Sequence, residues 1–386
     1  MRVLHFLPVY VPAWQYGGPI LSVSRLCEGL VRQGVDIRVI TTNAGLPNFP
    51  LDQLGLPQNV NGVEVIYYPV DHNVRVIRSK ALVKALPFHM SWAELLHLSS
   101  IWQPLGVPIQ KAAHAAGVPV IQTTRGALGP YSWRRGLWKK VPYFLLKERP
   151  LLQRAAALHC TTTQEVTELD WLSPNTPTFT LPNPVDLSQL SCQPAIGKDW
   201  RNSTGIPWDQ RLFLVSGRMH HKKGLDLLPH ALKAITHIPW HILFIGQDSD
   251  GTTLRLRRAF EQNGLIDRST WLPSLPAADL IAPYNAADWL LLPSRHENFG
   301  NVVIEALACG CGALVSDKVG VGHMLVGTPG VYMDVRDPDK WTQMLLTALS
   351  STRPGKLSES FVKSNFSQSL ISQKAYHIYQ RILSHG

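Results

Sequence analysis

Two glutamates, Glu297 and Glu305, stand with seven residues between them in the stretch LLPSRHENFGNVVIEALACG, residues 291–310. An ionised carboxylate accepts several hydrogen bonds, which suits the vicinal hydroxyls of a ribose or a hexose. A strand ending at Pro293-Ser294 and a helix starting near Asn301 would leave Glu297 in the preceding loop and Glu305 about one turn inside. The N–H groups of Phe299, Gly300, Asn301 and Val302 would then face a ligand, and the helix dipole favours an anion there. Spacing alone leaves a second reading open, in which Glu305 is an ordinary exposed helix residue and Glu297 a capping acid. A further group lies in SGRMHHKKGLDLL, residues 216–228, where Arg218 and Lys223 precede Gly224 and a helical pattern. A forked guanidinium and a point ammonium beside a helix N-terminus can neutralise a diphosphate. His220, His221 and Lys222 fit a solvated basic loop as well; Arg218, at the end of a buried strand, fits it less.

Such groups need a rigid scaffold, and the pattern of the chain supplies one. Short apolar runs alternate with helical patterns throughout, which predicts parallel sheets with crossover helices. Val3 to Leu7 reads as a strand, Gly17-Gly18-Pro19 as the loop end, and Ile20 to Val31 as a helix capped by Gly34. Strands are expected at 35–40, 63–68, 95–99, 119–123, 156–161 and 179–181. After a Pro-rich segment at 182–207 the series restarts, with strands at 212–216, 241–245, 289–292 and 313–316, and a helix from Leu225 to Ile235. The expected architecture is α/β, with two Rossmann-like domains of parallel strands facing an interdomain cleft. Residues 1–183 would form the first domain, with helix 369–386 packing back on it, and residues 184–368 the second. A length of 386 residues agrees with two cores.

With 17% charged and 45% hydrophobic residues the chain is not an intrinsically disordered one. No run reaches the about 18 apolar residues of a spanning helix. Pro8 and Pro12 interrupt the start, which lacks a signal peptide's apolar centre. Five scattered cysteines fit reduced thiols better than a disulfide framework, so the cytoplasm is the expected location.

The net charge is +10, and +7 of it falls between Arg125 and Arg154. There Trp133, Arg134, Arg135, Trp138, Lys139 and Lys140 could form a patch for an anionic membrane surface, on the inner face of the cytoplasmic membrane. The other reading is a helix with aromatics packed inward and cations solvated. No nucleic-acid-binding motif accompanies the patch.

HENFGNVVIEALACG, GRMHHKKGLDLL, YGGP, AADWLLLPS, RGALGPYSWRRGLWKK, ERPLLQRAAALHCTTTQE and LPNPVD together resemble glycosyltransferase family 4, over most of the chain. That resemblance implies a retaining, nucleotide-sugar-dependent hexosyltransferase of the GT-B fold, active in polysaccharide biosynthesis. It implies that Glu297 holds sugar hydroxyls, Glu305 the ribose, and the amides of residues 299–302 the sugar and diphosphate. It also implies that Arg218 and Lys223 neutralise the diphosphate, that Gly17 and Gly18 approach it, and that Ser274 lies by a uracil-type base. A UDP-sugar, with glucose the first expectation, would donate to a glycan or lipid-linked saccharide. The alternatives are a small soluble acceptor such as a phosphorylated sugar, or an inactive sugar-nucleotide-binding scaffold. Two departures stand out. Where many members carry a cleft histidine this chain has TTRGAL, making Arg125 the acceptor-side candidate. Where a proline often follows EALACG it has Cys311-Gly312, expected to loosen a turn. Asp248-Ser249-Asp250 resembles a metal-holding D-x-D, but far in sequence from the phosphate elements, and no metal is expected.

Overall fold

The structure, a computed structural model, describes residues 1–71, 76–99, 101–133, 137–170, 175–188 and 190–385. The chain divides into two units, Met1–Pro184 with Gln368–Gly386, and Val185–Ser367. In the first, the strands are β1 (Arg2–Val9), β2 (Asp36–Thr42), β3 (Pro57–Val60), β4 (Val63–Tyr68), β5 (Leu95–Ser99), β6 (Val120–Thr123), β7 (Ala157–Cys160) and β8 (Thr178–Thr180). They lie in the order β3-β4-β2-β1-β5-β6-β7-β8, and only the β3–β4 pair is antiparallel among the described residues.

The second unit holds β9 (Arg211–Ser216), β10 (Trp240–Ile245), β11 (Ser269–Leu272), β12 (Trp289–Leu292), β13 (Gly312–Ser316) and β14 (Val331–Asp334). Their order is β11-β10-β9-β12-β13-β14, all parallel. Counted within the unit this is 3-2-1-4-5-6, whose direction of winding reverses between β9 and β12. Ligands of open α/β sheets bind beyond the strand ends at such a reversal. Period-2 alternation feeds a core on each face of this sheet. Leu212 and Leu214 join Val303 and Ile304 on one side, while Phe213 and Val215 join Trp240 and Phe244 on the other.

The strands read from the sequence are present within one or two residues at each end, the scatter expected of element boundaries. The helix expected at 225–235 is shorter: a 3-10 turn, Leu225–Leu227, leads into an α-helix at Leu228–Lys233. Pro229, which has no N–H to donate, sits in its first turn. The Pro-rich linker contains a helix, Pro194–Thr204. Cys311-Gly312 does not loosen a turn. The Cys311 amide donates to Ala306 O at 3.0 Å, a bond proline could not make, and that of Gly312 donates to Asp288 O at 2.9 Å. The Trp289 ring lies where a Cβ on Gly312 would be, 2.3 Å away.

In the first unit, the helix Gly18–Arg32 starts at Gly17, whose φ of +86° favours glycine. The last helix, Gln368–His385, buries Ile371, Ala375 and Tyr379 in the same core as Val23 and Leu30. Gly29 permits that crossing, since a Cβ there would stand 2.0 Å from Ser372 Oγ.

A directed chain of hydrogen bonds crosses this sheet. His159 Nε2 lies 2.8 Å from Leu181 O, which only accepts, so that nitrogen carries the proton. Its Nδ1 therefore accepts from Thr123 Oγ1 at 3.0 Å, and Thr123 accepts from His97 Nε2 at 2.7 Å. His97 Nδ1 is left to accept from the Tyr379 hydroxyl at 2.6 Å. His5 stands beside it, bonded to Ser99 Oγ at 3.0 Å.

The basic aromatic segment departs from its expected surface role in part. Trp133 is buried, its ring 5.5 Å from that of Trp102 and 5.2 Å from that of Phe144. An indole packed edge-on between two aromatics cannot seat in a membrane, so Trp133 leaves the patch. Lys140 also turns inward, donating to Ser132 O and lying 5.8 Å from the Trp102 ring centre. Trp138 is 76% exposed. Arg134 and Arg135 lie outside the described residues, as does the side chain of Lys139.

Candidate active site

The loops after β9 and β12 flank the reversal of the second sheet, and they bring the sequence candidates together. Lys223 Nζ donates to Glu297 Oε2 at 2.6 Å, with the two side chains 19% and 28% exposed. Burial alone would raise the Glu297 carboxyl; the charge and hydrogen bond of Lys223, aided by His296 and Lys222, hold it below its usual value. Three connections fix the loops. The Arg295 amide donates to Lys222 O at 2.7 Å. Arg336 reaches both, Nε to Pro293 O at 2.7 Å and Nη2 to Gly224 O at 3.0 Å. The Glu297 amide donates to Lys318 O and the Gly320 amide to Glu297 O, both at 2.9 Å.

Gly224 has φ +64°, and a Cβ on it would sit 2.2 Å from Pro293 O, so the two loops meet at a position only glycine fills. Gly300 caps the helix Asn301–Ala308 with φ +99°. The amides of Asn301 and Val302 therefore open the first turn of that helix. Phe299 is buried in the core, so only its backbone is available to a ligand. Glu305 stands one turn further on, partly buried, and accepts from the Tyr284 hydroxyl at 3.2 Å. Burial and the Glu305 charge push Tyr284 well above its ordinary value, so it stays a protonated donor. The capping role weighed for Glu297 is absent, since Gly300 caps the helix. Arg218 is exposed, two residues past the end of β9, and Ser274 is exposed, two residues past β11.

Asp248 and Asp250 have other partners. Asp248 Oδ1 accepts from the amides of Asp250, Gly251 and Thr252 at 3.2, 2.9 and 3.1 Å, at the start of the helix Thr252–Gln262. Asp250 Oδ2 accepts from the His221 amide at 3.0 Å and lies 2.7 Å from His221 Nδ1. His220, His221 and Asp250 bring possible metal-ligand atoms within 4.8 Å of one another. His220 Nδ1 accepts from the Lys222 amide at 3.1 Å, which leaves the proton on Nε2, the nitrogen nearest Asp250. His221 and Asp250 thus form a hydrogen-bonded clasp on the loop that carries Lys223, with His220 Nε2 3.7 Å from Asp250 Oδ2.

In the first unit, Gly17 and Gly18 open a helix as expected. Arg125 follows β6 with φ +51°, a rare value for a residue other than glycine. Glu165, buried, holds this loop: its Oε1 accepts from the Gly126 amide at 2.6 Å and its Oε2 from the Thr161 amide at 2.8 Å. Burial lowers Arg125 to about 10, against the opposing charge of Glu165. Its Nε is buried with no partner, and Nη1 reaches Asn183 Oδ1 only at 3.5 Å. Glu165 was missed as a site residue, although the T-x-x-E spacing from Thr162 is a readable helix-start signal. Tyr284 and Arg336 had no local signal.

Two α/β units with almost wholly parallel sheets, the second with Lys223 and Glu297 paired at its switch point, make up the GT-B fold of two Rossmann-like domains. Residues 17–184 match the glycosyl transferase 4-like domain and residues 197–367 the glycosyl transferases group 1 family. The chain belongs to the family-4 type of glycosyltransferases. It is 25% identical to a D-inositol 3-phosphate glycosyltransferase of Paenarthrobacter aurescens over 370 residues, 89% of this chain and 87% of that one. A D-inositol 3-phosphate glycosyltransferase of Xylanimonas cellulosilytica is 32% identical over 173 residues, which span 44% of this chain and 39% of the relative. Among solved structures, Anabaena HepE in complex with UDP superposes with a TM-score of 0.79 at 16% identity, covering 99% of this chain and all of that one. Sucrose-phosphate synthase from Thermosynechococcus elongatus gives 0.76 at 20%, with both chains fully covered. Among the described residues no helix is long and apolar enough to cross a membrane.

Proposed function

We propose that the protein transfers a hexose, glucose, from a UDP-sugar with retention of configuration, to a glycan or lipid-linked saccharide. The observation that carries the reading is the Lys223–Glu297 pair 2.6 Å apart at the switch point. An ammonium has three donors and a carboxylate about four acceptor positions, so each keeps capacity after their mutual bond. Lys223, with exposed Arg218 and the Asn301 and Val302 amides, stabilises the charge that grows on the departing diphosphate. Glu297 orients sugar hydroxyls, Glu305 takes the ribose, and Ser274 stands by the base. This chemistry draws its positive charge from side chains and helix amides, and no divalent ion is part of it. The leaving phosphate takes the acceptor proton.

A second reading, a small phosphorylated acceptor, is favoured by Arg125, whose Nε has no partner. It also agrees with the names of the two bacterial relatives. Calorimetry tests the donor assignment. Glu305→Ala should weaken UDP by about 1–3 kcal/mol, the cost of losing a buried hydrogen bond to a charged group. Unchanged affinity removes Glu305 from the site. A panel of UDP-, GDP- and ADP-sugars read by hydrolysis decides the donor, and glycosyl transfer to inositol phosphate decides for the second reading.

A further inference from the structure

Among the described residues, His220, His221 and Asp250 form the one group of three whose metal-ligand atoms lie within 4.8 Å of one another. Asp250 Oδ2 is the common neighbour, 2.7 Å from His221 Nδ1 and 3.7 Å from His220 Nε2. In a tetrahedral zinc site with bonds of about 2.1 Å, ligand atoms stand about 3.4 Å apart, and the two distances bracket that value. The side chains of His220, His221 and Asp250 are 26%, 35% and 24% exposed, so an ion reaches them from solvent. Backbone bonds hold the group in place. The Met219 amide donates to Gln247 O at 2.8 Å and the Ser249 amide to Met219 O at 3.1 Å, zipping the loop after β9 to the loop after β10. Asp248, bonded to three amides, fixes the turn from which Asp250 projects.

The donor atoms select the ion. Burial opposes the charge on Asp250, but hydrogen bonds from Thr252 and His221 hold its carboxyl well below the usual range, so the charge is present at neutral pH. Burial, with the charges of His221, Arg218 and Lys222, lowers His220 against the pull of Asp250, so its ring is neutral there. Two imidazoles with one carboxylate suit zinc, nickel or copper, whereas magnesium and calcium prefer oxygen alone. The cations around the group, Arg255 at 3.5 Å from Asp250 among them, repel an ion that charge alone would hold.

We infer that His220 Nε2, His221 Nδ1 and Asp250 Oδ2 form an inhibitory site for a zinc-type divalent ion, which disengages the neighbouring Lys223–Glu297 pair. The coupling runs through one hydrogen bond. His220 Nδ1 accepts from the Lys222 amide at 3.1 Å and so caps the 3-10 turn His221–Lys223. An ion on Nε2 of the neutral ring leaves the ring proton on Nδ1, which then meets the Lys222 N–H as a second donor. The cap is lost, and the turn that aims Lys223 Nζ at Glu297 Oε2 opens. Metal binding stands on the geometry of the trio; inhibition rests on the donor role proposed for Lys223. The ion takes no part in the transfer itself.

Titration of the metal-free full chain with ZnCl2, with bound zinc counted by atomic absorption, tests the site. One ion per chain should bind. His220→Asn removes a ligand, while the Asn side-chain oxygen still accepts from the Lys222 amide. The variant should bind zinc at least about tenfold more weakly, the smaller loss known for removing a mere partner of a ligand. It should keep the wild-type rate of UDP-glucose hydrolysis. ZnCl2 should inhibit the wild type, reversibly with EDTA, and spare the variant; the variant at equal zinc also controls for chelation by the nucleotide. Absence of stoichiometric zinc, equal affinity in His220→Asn, or equal inhibition of both proteins overturns the inference. Zinc held at this site with an unchanged rate overturns the coupling to Lys223. If the wild type hydrolyses no UDP-sugar, the proposed function falls, while stoichiometry and the variant still decide the site.

Discussion

At the scale of single residues, one ion pair decides the electrostatics of the loop after β9, which the proposed function gives to the donor. Lys223 keeps Glu297 ionised against burial that pushes its pKa upward. Lys223→Met should therefore do two things. Turnover should fall about 10²–10³-fold, as for loss of one preorganised donor to developing charge. The acid limb of the residual kcat/KM profile should also move to higher pH, because the Glu297 carboxyl rises once its partner is gone. A reduced rate with an unmoved limb means that Glu297 does not titrate in the reaction. The partners were readable from sequence because each lies in a local pattern of strand, glycine loop and helix. Arg336 was not readable: it acts on Gly224 and Pro293, 112 and 43 residues away. Its lone place after β14 offers no periodicity or motif. Trp133 failed for a related reason, since alternating aromatics and cations do not state which aromatic turns inward, and the ring of Trp102 settles it.

At the scale of elements, the parallel strands were legible because buried strands read as continuous apolar runs. β3 was not, as Pro57–Val60 is an edge strand with exposed and half-exposed residues and no apolar run to betray it. The chain Tyr379, His97, Thr123, His159, Leu181 joins β5, β6 and β7 to the last helix, and no pattern within one element encodes it. Tyr379→Phe leaves His97 Nδ1 without its donor in a fully buried place. The expected cost is about 1–3 kcal/mol, read as a lower urea midpoint for the unfolding of the first unit. UDP affinity, a property of the second unit in the proposed function, should stay the same. An unshifted midpoint would show that the last helix is held by its apolar residues alone.

At the scale of the whole molecule, buried histidines set the acid limit of stability. Burial and the Arg125 charge lower His5 and His159 to about 3, burial with the neighbouring histidines lowers His97 well below its ordinary value, and burial takes His89 and His241 to about 4. An unfolded chain protonates all five near pH 6.5, whereas the folded one does not. The unfolded state thus binds more protons below pH 6.5, and stability falls with pH towards the folded values. At pH 5 each histidine costs about 2 kcal/mol relative to pH 7. Two carboxyls oppose this: burial raises Glu148 and Glu168 to about 7, with Glu165 adding to the latter. Their contribution is present in acid and lost as pH rises from their unfolded values through 7, so acidification to pH 5 returns about 2–3 kcal/mol for each. Five losses exceed two gains by roughly a factor of two, and below pH 4.5 the gains stop growing while the losses continue. The melting temperature should therefore drop between pH 6.5 and 4.5, and fall more steeply below. A flat profile across that range, or a maximum near pH 5, would mean that water or a rearranged core lets the histidines ionise in place.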